Sequence, residues 1–525
     1  MWSAVTGLLS RDDWIYTGVL VSSFATSWVL RSQQNPFILS HAGGLLGFVM
    51  ALLVLGMKIF YSIPMAIFAT VSIKYAPRKH LTAIVFVSSF VYLMFLRYLH
   101  YFVDVHELAS QANVVQLIMT LRVIGLAFEV SDYHFNRVSS DSERRPKRLL
   151  EKEPEVLEIL NYFYHFAGLF TGPYYTYQML VDSYNPVLLT KWSPVSEIRG
   201  RVLRLCWSVP LFILFNKLYP LDGLRSDEIW EMNFFQRLVY AAAVFVVFRM
   251  RVYSAWAVAE SICVTLGIGI YPAESRPRCV VGPTDLEKFE KLKSRGDVPY
   301  NSDAVVNLDI KEIELSEGFR SGIRSWNKSV QSWLALYVHS RANRMYRVEL
   351  TMFVSALWHG TYAGYFMSFL IVPMCASVED IIFKYVPEDP VTGKRPKWFR
   401  YLYILTLRCR GFDMLATGFL LKNFHDTHRS FLIVPMCASV EDIIFKYVPE
   451  DPVTGKRPKW FRYLYILTLR CRGFDMLATG FLLKNFHDTH RFWSSLYYWL
   501  LLVTLPIYLI DKFVKLAGQK SKKEE

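Results

Sequence analysis

Leu350-Thr-Met-Phe-Val-Ser-Ala-Leu-Trp-His-Gly-Thr-Tyr-Ala-Gly-Tyr-Phe-Met-Ser-Phe-Leu-Ile-Val372 runs for 23 residues without Asp, Glu, Lys or Arg, and His359 is its one histidine. About 20 apolar residues in a helix cross the ~30 Å of bilayer hydrocarbon, so this stretch reads as a membrane span with a titratable ring in its middle. The rest of the chain repeats the pattern. Of its 525 residues 53% are hydrophobic, 16% aromatic and only 20% charged, which excludes intrinsic disorder, collagen-like sequence and small disulfide scaffolds. Apolar runs fall near 14–30, 43–57, 59–75, 82–99, 113–130, 157–179, 202–219 and 235–270, the last long enough for two segments. Further runs lie near 329–339, 348–372, 398–421 and 493–510. The expected fold is all-α: a polytopic transmembrane helical bundle of about 10–12 spans enclosing an intramembrane catalytic cavity. Pro64, Pro173, Pro210 and Pro373 sit in or at the ends of runs, where a bundle tolerates kinks if neighbours satisfy the freed carbonyls.

The net charge is +14, from 59 Lys and Arg against 45 Asp and Glu. The basic residues lie in short loops between apolar runs, which suits lipid headgroups and phosphate-bearing ligands and argues against nucleic acid as a partner. Loop 131–156 carries Arg144, Arg145, Lys147 and Arg148 and is placed in the cytosol by the positive-inside rule; a second polar loop covers 272–324. The seven cysteines form no CxxC pair and no zinc spacing, so no disulfide framework is expected. Asp12 and Asp13 precede the first run where a signal peptide would be basic, so that run reads as a retained anchor.

Residues 368–429 recur without one change as 430–491, an offset of 62 throughout. Structural repeats in solenoids drift in sequence, so identity this exact points to a recent duplication or an erroneous gene assembly, and one copy is expected to be superfluous. Either copy fits as the extra one, because the sole new junction is Arg429 to Ser430. The chain is otherwise one domain, 1–525, with a basic tail at 511–525. That tail ends Lys522-Lys523-Glu524-Glu525, which resembles the dilysine retrieval signal of endoplasmic reticulum membrane proteins and otherwise reads as a solvated end.

Polar groups inside spans are costly and mark function. In Ser355-Ala-Leu-Trp358-His359-Gly360, a histidine with an ordinary pKa of ~6.5 can take a proton at neutral pH, and Gly360 leaves space beside it for a substrate chain. The alternative is a structural histidine bonded to a neighbouring helix. Trp326-Asn327 and Trp333 enter the apolar run at 329; an asparagine amide can hold a carbonyl or stabilise an oxyanion, and equally can cap a helix. In Phe248-Arg249-Met-Arg251-Val-Tyr253, with Trp256 and Glu260, two arginines suit a phosphate and Glu260 could neutralise one of them; a structural ion pair explains them as well. The histidine boxes of diiron enzymes, the GxSxG elbow, the P-loop and HExxH are absent, so no metal site is expected and no Ser or Cys nucleophile has a visible partner.

Trp326-Asn327 with Trp333, followed by Ser355, Trp358, His359 and Gly360, resembles the membrane-bound O-acyltransferase family. Phe170-Thr-Gly-Pro-Tyr-Tyr175, Phe248 to Trp256, and Tyr271-Pro272 resemble its lysophosphatidylinositol acyltransferase branch. The resemblance implies transfer of a fatty acyl group, polyunsaturated by preference, from acyl-CoA to the sn-2 hydroxyl of lysophosphatidylinositol. It implies a multi-pass protein of the endoplasmic reticulum membrane, working in phospholipid remodelling. Asn327 and His359 would be catalytic, with Trp326, Trp333, Trp358, Arg249, Arg251, Tyr253 and Glu260 as substrate-binding candidates. Acyl-CoA is then a co-substrate, the bilayer supplies the acceptor, and neither a resident cofactor nor an obligate protein partner is expected. The rivals are an acyltransferase for another lysophospholipid headgroup and a lipid transporter without chemistry; a transporter predicts related halves, and the local identical repeat is the only one present.

Overall fold

The computed structural model describes residues 11–33, 35–102, 110–135, 149–225, 228–316 and 318–385, with 388, 390, 395 and 396. The cluster at 144–148, the runs at 398–421 and 493–510, the second copy and the C-terminal tail lie outside the described residues. Helix α1 (Arg11–Gln33) leads to α2 (Pro36–Leu55), whose first turn is fixed by Pro36 and by the Asn35 side chain accepting from Phe37 N at 2.9 Å. A 3-10 turn (Gly56–Ser62) joins α2 to α3 (Ile63–Tyr75), with Pro64 in the first turn of α3, where its missing N–H costs nothing. Then come α4 (Leu81–Phe102), α5 (Ser110–Phe135), and two short helices, α6 (Val156–Tyr164) and α7 (Tyr177–Ser183). Helix α8 (Val195–Leu218) packs along α9 (Phe234–Thr265). The loop at 272–324 is folded rather than open: Tyr271–Pro272 pairs antiparallel with Tyr300–Asn301, and Val305 and Leu308 enter the core. It leads to α10 (Lys328–Leu334), a π-helical turn (Ala335–His339), α11 (Arg347–His359) and α12 (Ala363–Tyr385).

Four helical stretches among the described residues are long and apolar enough to cross a membrane: Phe37–Tyr75, Leu81–Leu99, Gln111–Phe135 and Ala242–Thr265. Their outward residues include Leu53, 81% exposed, and Val91, 62% exposed, the inverse of a water-soluble surface and the form expected of a lipid-facing one. Inside, α5 is almost wholly buried, which places it at the centre of the bundle.

Four expected spans are corrected. The run at 348–372 is two helices, α11 ending at His359 and α12 starting at Ala363, so the histidine stands at a helix end rather than in the middle of one span. The run at 235–270 is one continuous helix through Thr265 rather than two segments. The run at 329–339 is a short helix ending in a π turn, far too short to cross ~30 Å of hydrocarbon. The run at 157–179 breaks after Tyr164, passes through buried irregular backbone and resumes as α7. The break is forced by Gly168 and Gly172, both in the positive-φ region, followed by Pro173.

Backbone freed in this way needs donors. Arg122, wholly buried on α5, supplies them: its guanidinium donates to the carbonyls of Tyr162 at 3.1 Å, Phe163 at 3.0 Å, His165 at 2.8 Å and Ala167, and to Tyr175 Oη at 3.1 Å. A planar cation with five N–H groups thus does for an irregular segment what a helix does for itself. Gly47 lets α2 lie directly on this segment, where a Cβ would stand 1.9 Å from Tyr164 O.

Candidate active site

The segment carrying Asn327 follows the short helix Phe319–Ser325. Asn327 has φ 48° and ψ 51°, a left-handed conformation that asparagine tolerates better than most residues. It occupies the N-cap position of α10, yet its side chain does not cap that helix. The first two N–H groups of α10 are taken by another residue: Lys328 N donates to Asn307 O at 2.9 Å and Ser329 N to Asn307 Oδ1 at 3.0 Å. Asn307, buried, is itself held by its N–H on Glu260 Oε1 at 2.9 Å. Helix capping from outside leaves the Asn327 amide uncommitted to the helix it begins, and so disposes of the helix-cap reading.

Glu260 is wholly buried, and its partners are not those expected from the sequence. It pairs with Arg201 at 3.0 Å and Arg204 at 3.5 Å, both on α8, rather than with Arg249 or Arg251. Arg249 instead pairs with Glu314 at 3.1 Å, and Arg251 pairs with Asp13 on α1. The reason is helical geometry: two positions along a helix turn a side chain by about 200°, so the two arginines face apart and do not form one phosphate clamp.

Trp326 gathers several of the remaining candidates. Its ring lies 5.9 Å from Phe248, 6.0 Å from Tyr253 and 5.6 Å from Trp256, all on α9. Tyr253 Oη donates to Glu314 at 2.7 Å, and Trp256 Nε1 donates to Thr171 O at 3.0 Å. Tyr174 N donates to Ser329 Oγ at 3.2 Å, so the Phe170–Tyr175 motif packs against both α9 and the start of α10. Trp333 and Trp358 are buried, and their indoles bind the bundle's centre: Trp333 Nε1 donates to Leu121 O at 3.0 Å and Trp358 Nε1 to Leu117 O at 3.1 Å. Those carbonyls are one turn apart on α5, about 6 Å. The segments bearing Asn327 and His359 therefore hang from adjacent turns of one buried helix.

His359 is the last residue of α11, half-buried, with Phe369 stacked on its ring at 4.8 Å and 17° and Trp358 edge-on at 4.6 Å. The space beside Gly360 is filled: a Cβ there would stand 2.2 Å from the Tyr365 ring, so that glycine makes room for a tyrosine rather than for a substrate chain. Arg97, on α4, was not singled out from the sequence. Its guanidinium donates to Leu357 O at 2.7 Å and Trp358 O at 2.6 Å, capping the end of α11 at the residue before His359. An arginine inside an apolar run was the signal for both Arg97 and Arg122. Hydrogen bonds to charged donors contribute about 1.5–3 kcal/mol, so Arg97→Met should lower the melting temperature of the detergent-solubilised protein and its activity together. An unchanged melting curve would show that these carbonyls have other donors.

A half-buried imidazole among aromatic rings and an amide not consumed by its own helix can remove a proton and steady an oxyanion. Among the described residues no group of three His, Cys, Asp or Glu side chains is placed to hold a metal ion.

Residues 37–409 match the membrane-bound O-acyltransferase family. The chain is 51% identical over 518 residues, 99% of each chain, to the membrane-bound acylglycerophosphatidylinositol O-acyltransferase mboa-7 of Caenorhabditis briggsae. It is 50% identical over 521 residues, again 99% of each, to mboa-7 of Caenorhabditis elegans. With the human protein of that description, MBOAT7, it shares 29% identity over 443 residues, 82% of this chain and 92% of that protein.

Proposed function

The chain belongs to the membrane-bound O-acyltransferase family, and from that premise we propose that it acylates lysophosphatidylinositol with acyl-CoA as donor. The observation that carries the acceptor is identity of about half over nearly the whole length of two proteins described as acylglycerophosphatidylinositol O-acyltransferases. Nothing in the reaction requires a resident cofactor. His359 takes the proton from the sn-2 hydroxyl as that oxygen attacks the thioester carbonyl; Asn327 donates to the oxygen that becomes negative. That attack forms the new C–O bond; collapse of the tetrahedral intermediate re-forms the carbonyl, breaks the C–S bond and returns the proton from His359 to the departing CoA sulfur. No acyl-enzyme intervenes.

The architecture suits two amphiphiles. A lysolipid reaches a bundle-enclosed site from the bilayer, and the acyl tail of the donor needs an apolar path beside it. We place the protein as a multi-pass enzyme of the endoplasmic reticulum membrane, remodelling phospholipid acyl chains, with polyunsaturated donors preferred.

The test is a membrane preparation given radiolabelled arachidonoyl-CoA and a panel of lysophospholipids. Product from lysophosphatidylinositol alone is the expected result. Product from several headgroups would keep the family chemistry and remove the headgroup assignment; a saturated donor used equally well would remove the chain preference.

A further inference from the structure

Helix α12 touches His359 and the short helix that leads into Asn327. Near its start Phe369 stacks on His359, and Ser368 beside it is wholly buried. Ten residues on, about 15 Å along the helix, the buried carboxylate of Glu379 accepts from the backbone N–H groups of Phe319 and, at 3.2 Å, of Arg320. These are the first N–H groups of helix Phe319–Ser325, which runs directly into Trp326 and Asn327. Arg320 answers from the other side, its guanidinium donating to Ala376 O at 3.1 Å and to Asp380 Oδ2 at 2.6 Å. One helix therefore fixes the ring of His359 at one end and the approach to Asn327 at the other.

Phe369, Glu379 and Asp380 all belong to the first of the two identical segments, and Phe431, Glu441 and Asp442 are their exact counterparts in the second. There is room for one. Gly318 brings its backbone so close that an added Cβ would stand 3.1 Å from Glu379 Oε2. The tether also favours the first copy: α12 starts at Ala363, four residues past His359, and packs against α11.

We infer that the first copy is the working one and that Glu379 is a positioning residue for Asn327, a role its duplicate Glu441 does not share. The inference rests on the acyl-transfer reading of Asn327 and His359. The duplication supplies its own control, because the same substitution can be made twice in identical local sequence.

Glu379→Gln, Glu441→Gln and the double variant are made in the full chain, and kcat is measured per mole of monodisperse folded protein. Misplacing a reacting group by about 1 Å can cost ~100-fold, so kcat is expected to fall by about 10- to 100-fold with Glu379→Gln, with KM for acyl-CoA unchanged. Glu441→Gln should match the parent, and the double variant should match Glu379→Gln. A carboxylate that merely stabilises the fold would reduce the yield of folded protein and leave kcat per folded molecule alone, overturning the positioning role. Loss confined to Glu441→Gln, loss only in the double variant, or no loss in any of the three would overturn the assignment of the first copy. If the parent shows no transfer that depends on His359, the functional reading fails, and melting temperatures decide the docking by themselves. Lowering by Glu379→Gln and not by Glu441→Gln upholds it; equal or reversed effects overturn it.

Discussion

His359→Ala is expected to abolish acyl transfer, lowering kcat by about 10²–10⁴-fold, the range for losing a positioned general base. The ring is half-buried at the end of α11, so its removal leaves the helix and its Arg97 cap in place. Expression and membrane insertion should stay near parental. The cost falls on chemistry because an unassisted hydroxyl is a poor nucleophile at neutral pH, whereas an imidazole can take its proton during attack. Transfer retained by His359→Ala at parental rates would sink the mechanism.

Asn327→Gly is the second large effect, and the backbone makes it sharper than the alanine change. Asn327 sits in the left-handed region, so alanine would remove the amide and strain the chain at once. Glycine adopts that conformation without penalty and removes only the amide. Since α10 is capped by Asn307, glycine at 327 takes no cap away. Asn327→Gly should therefore fold and melt like the parent while kcat drops by about 10²–10³-fold, as for a lost oxyanion donor. Equal activity in the glycine variant would assign Asn327 to backbone shape alone. Asn327→Ala, as inactive and less stable, separates the two contributions.

Much of the site was legible in the chain because the physical cost of the residues is local. A histidine inside 23 apolar residues and an asparagine entering an apolar run announce themselves wherever they are later placed. Trp326, from the segment of Asn327, meets Tyr253 and Trp256, from the separate 248–256 stretch, in one cluster. Glu260 is legible in the sequence as a buried charge, but its partners are not, because they come from α8 rather than from its own helix α9. Arg97 and Arg122 each interrupt an apolar run, and nothing in the run names their partners. Their importance lies in carbonyls that become available only when α11 ends and when the segment after α6 leaves the helix.

What the sequence determined by itself was the membrane-spanning helical class and the family resemblance, since hydrophobic run length, composition and residue chemistry need no partner. Tertiary structure alone decided which groups satisfy one another. Arg122 meets a broken backbone, Asn307 caps α10 so that Asn327 need not, and Glu379 meets the N–H groups of the helix before Asn327. The physical reason is that a buried polar group is fixed by the geometry of its counterpart, and the rotation and depth of each helix, which set that geometry, are settled only when the bundle packs.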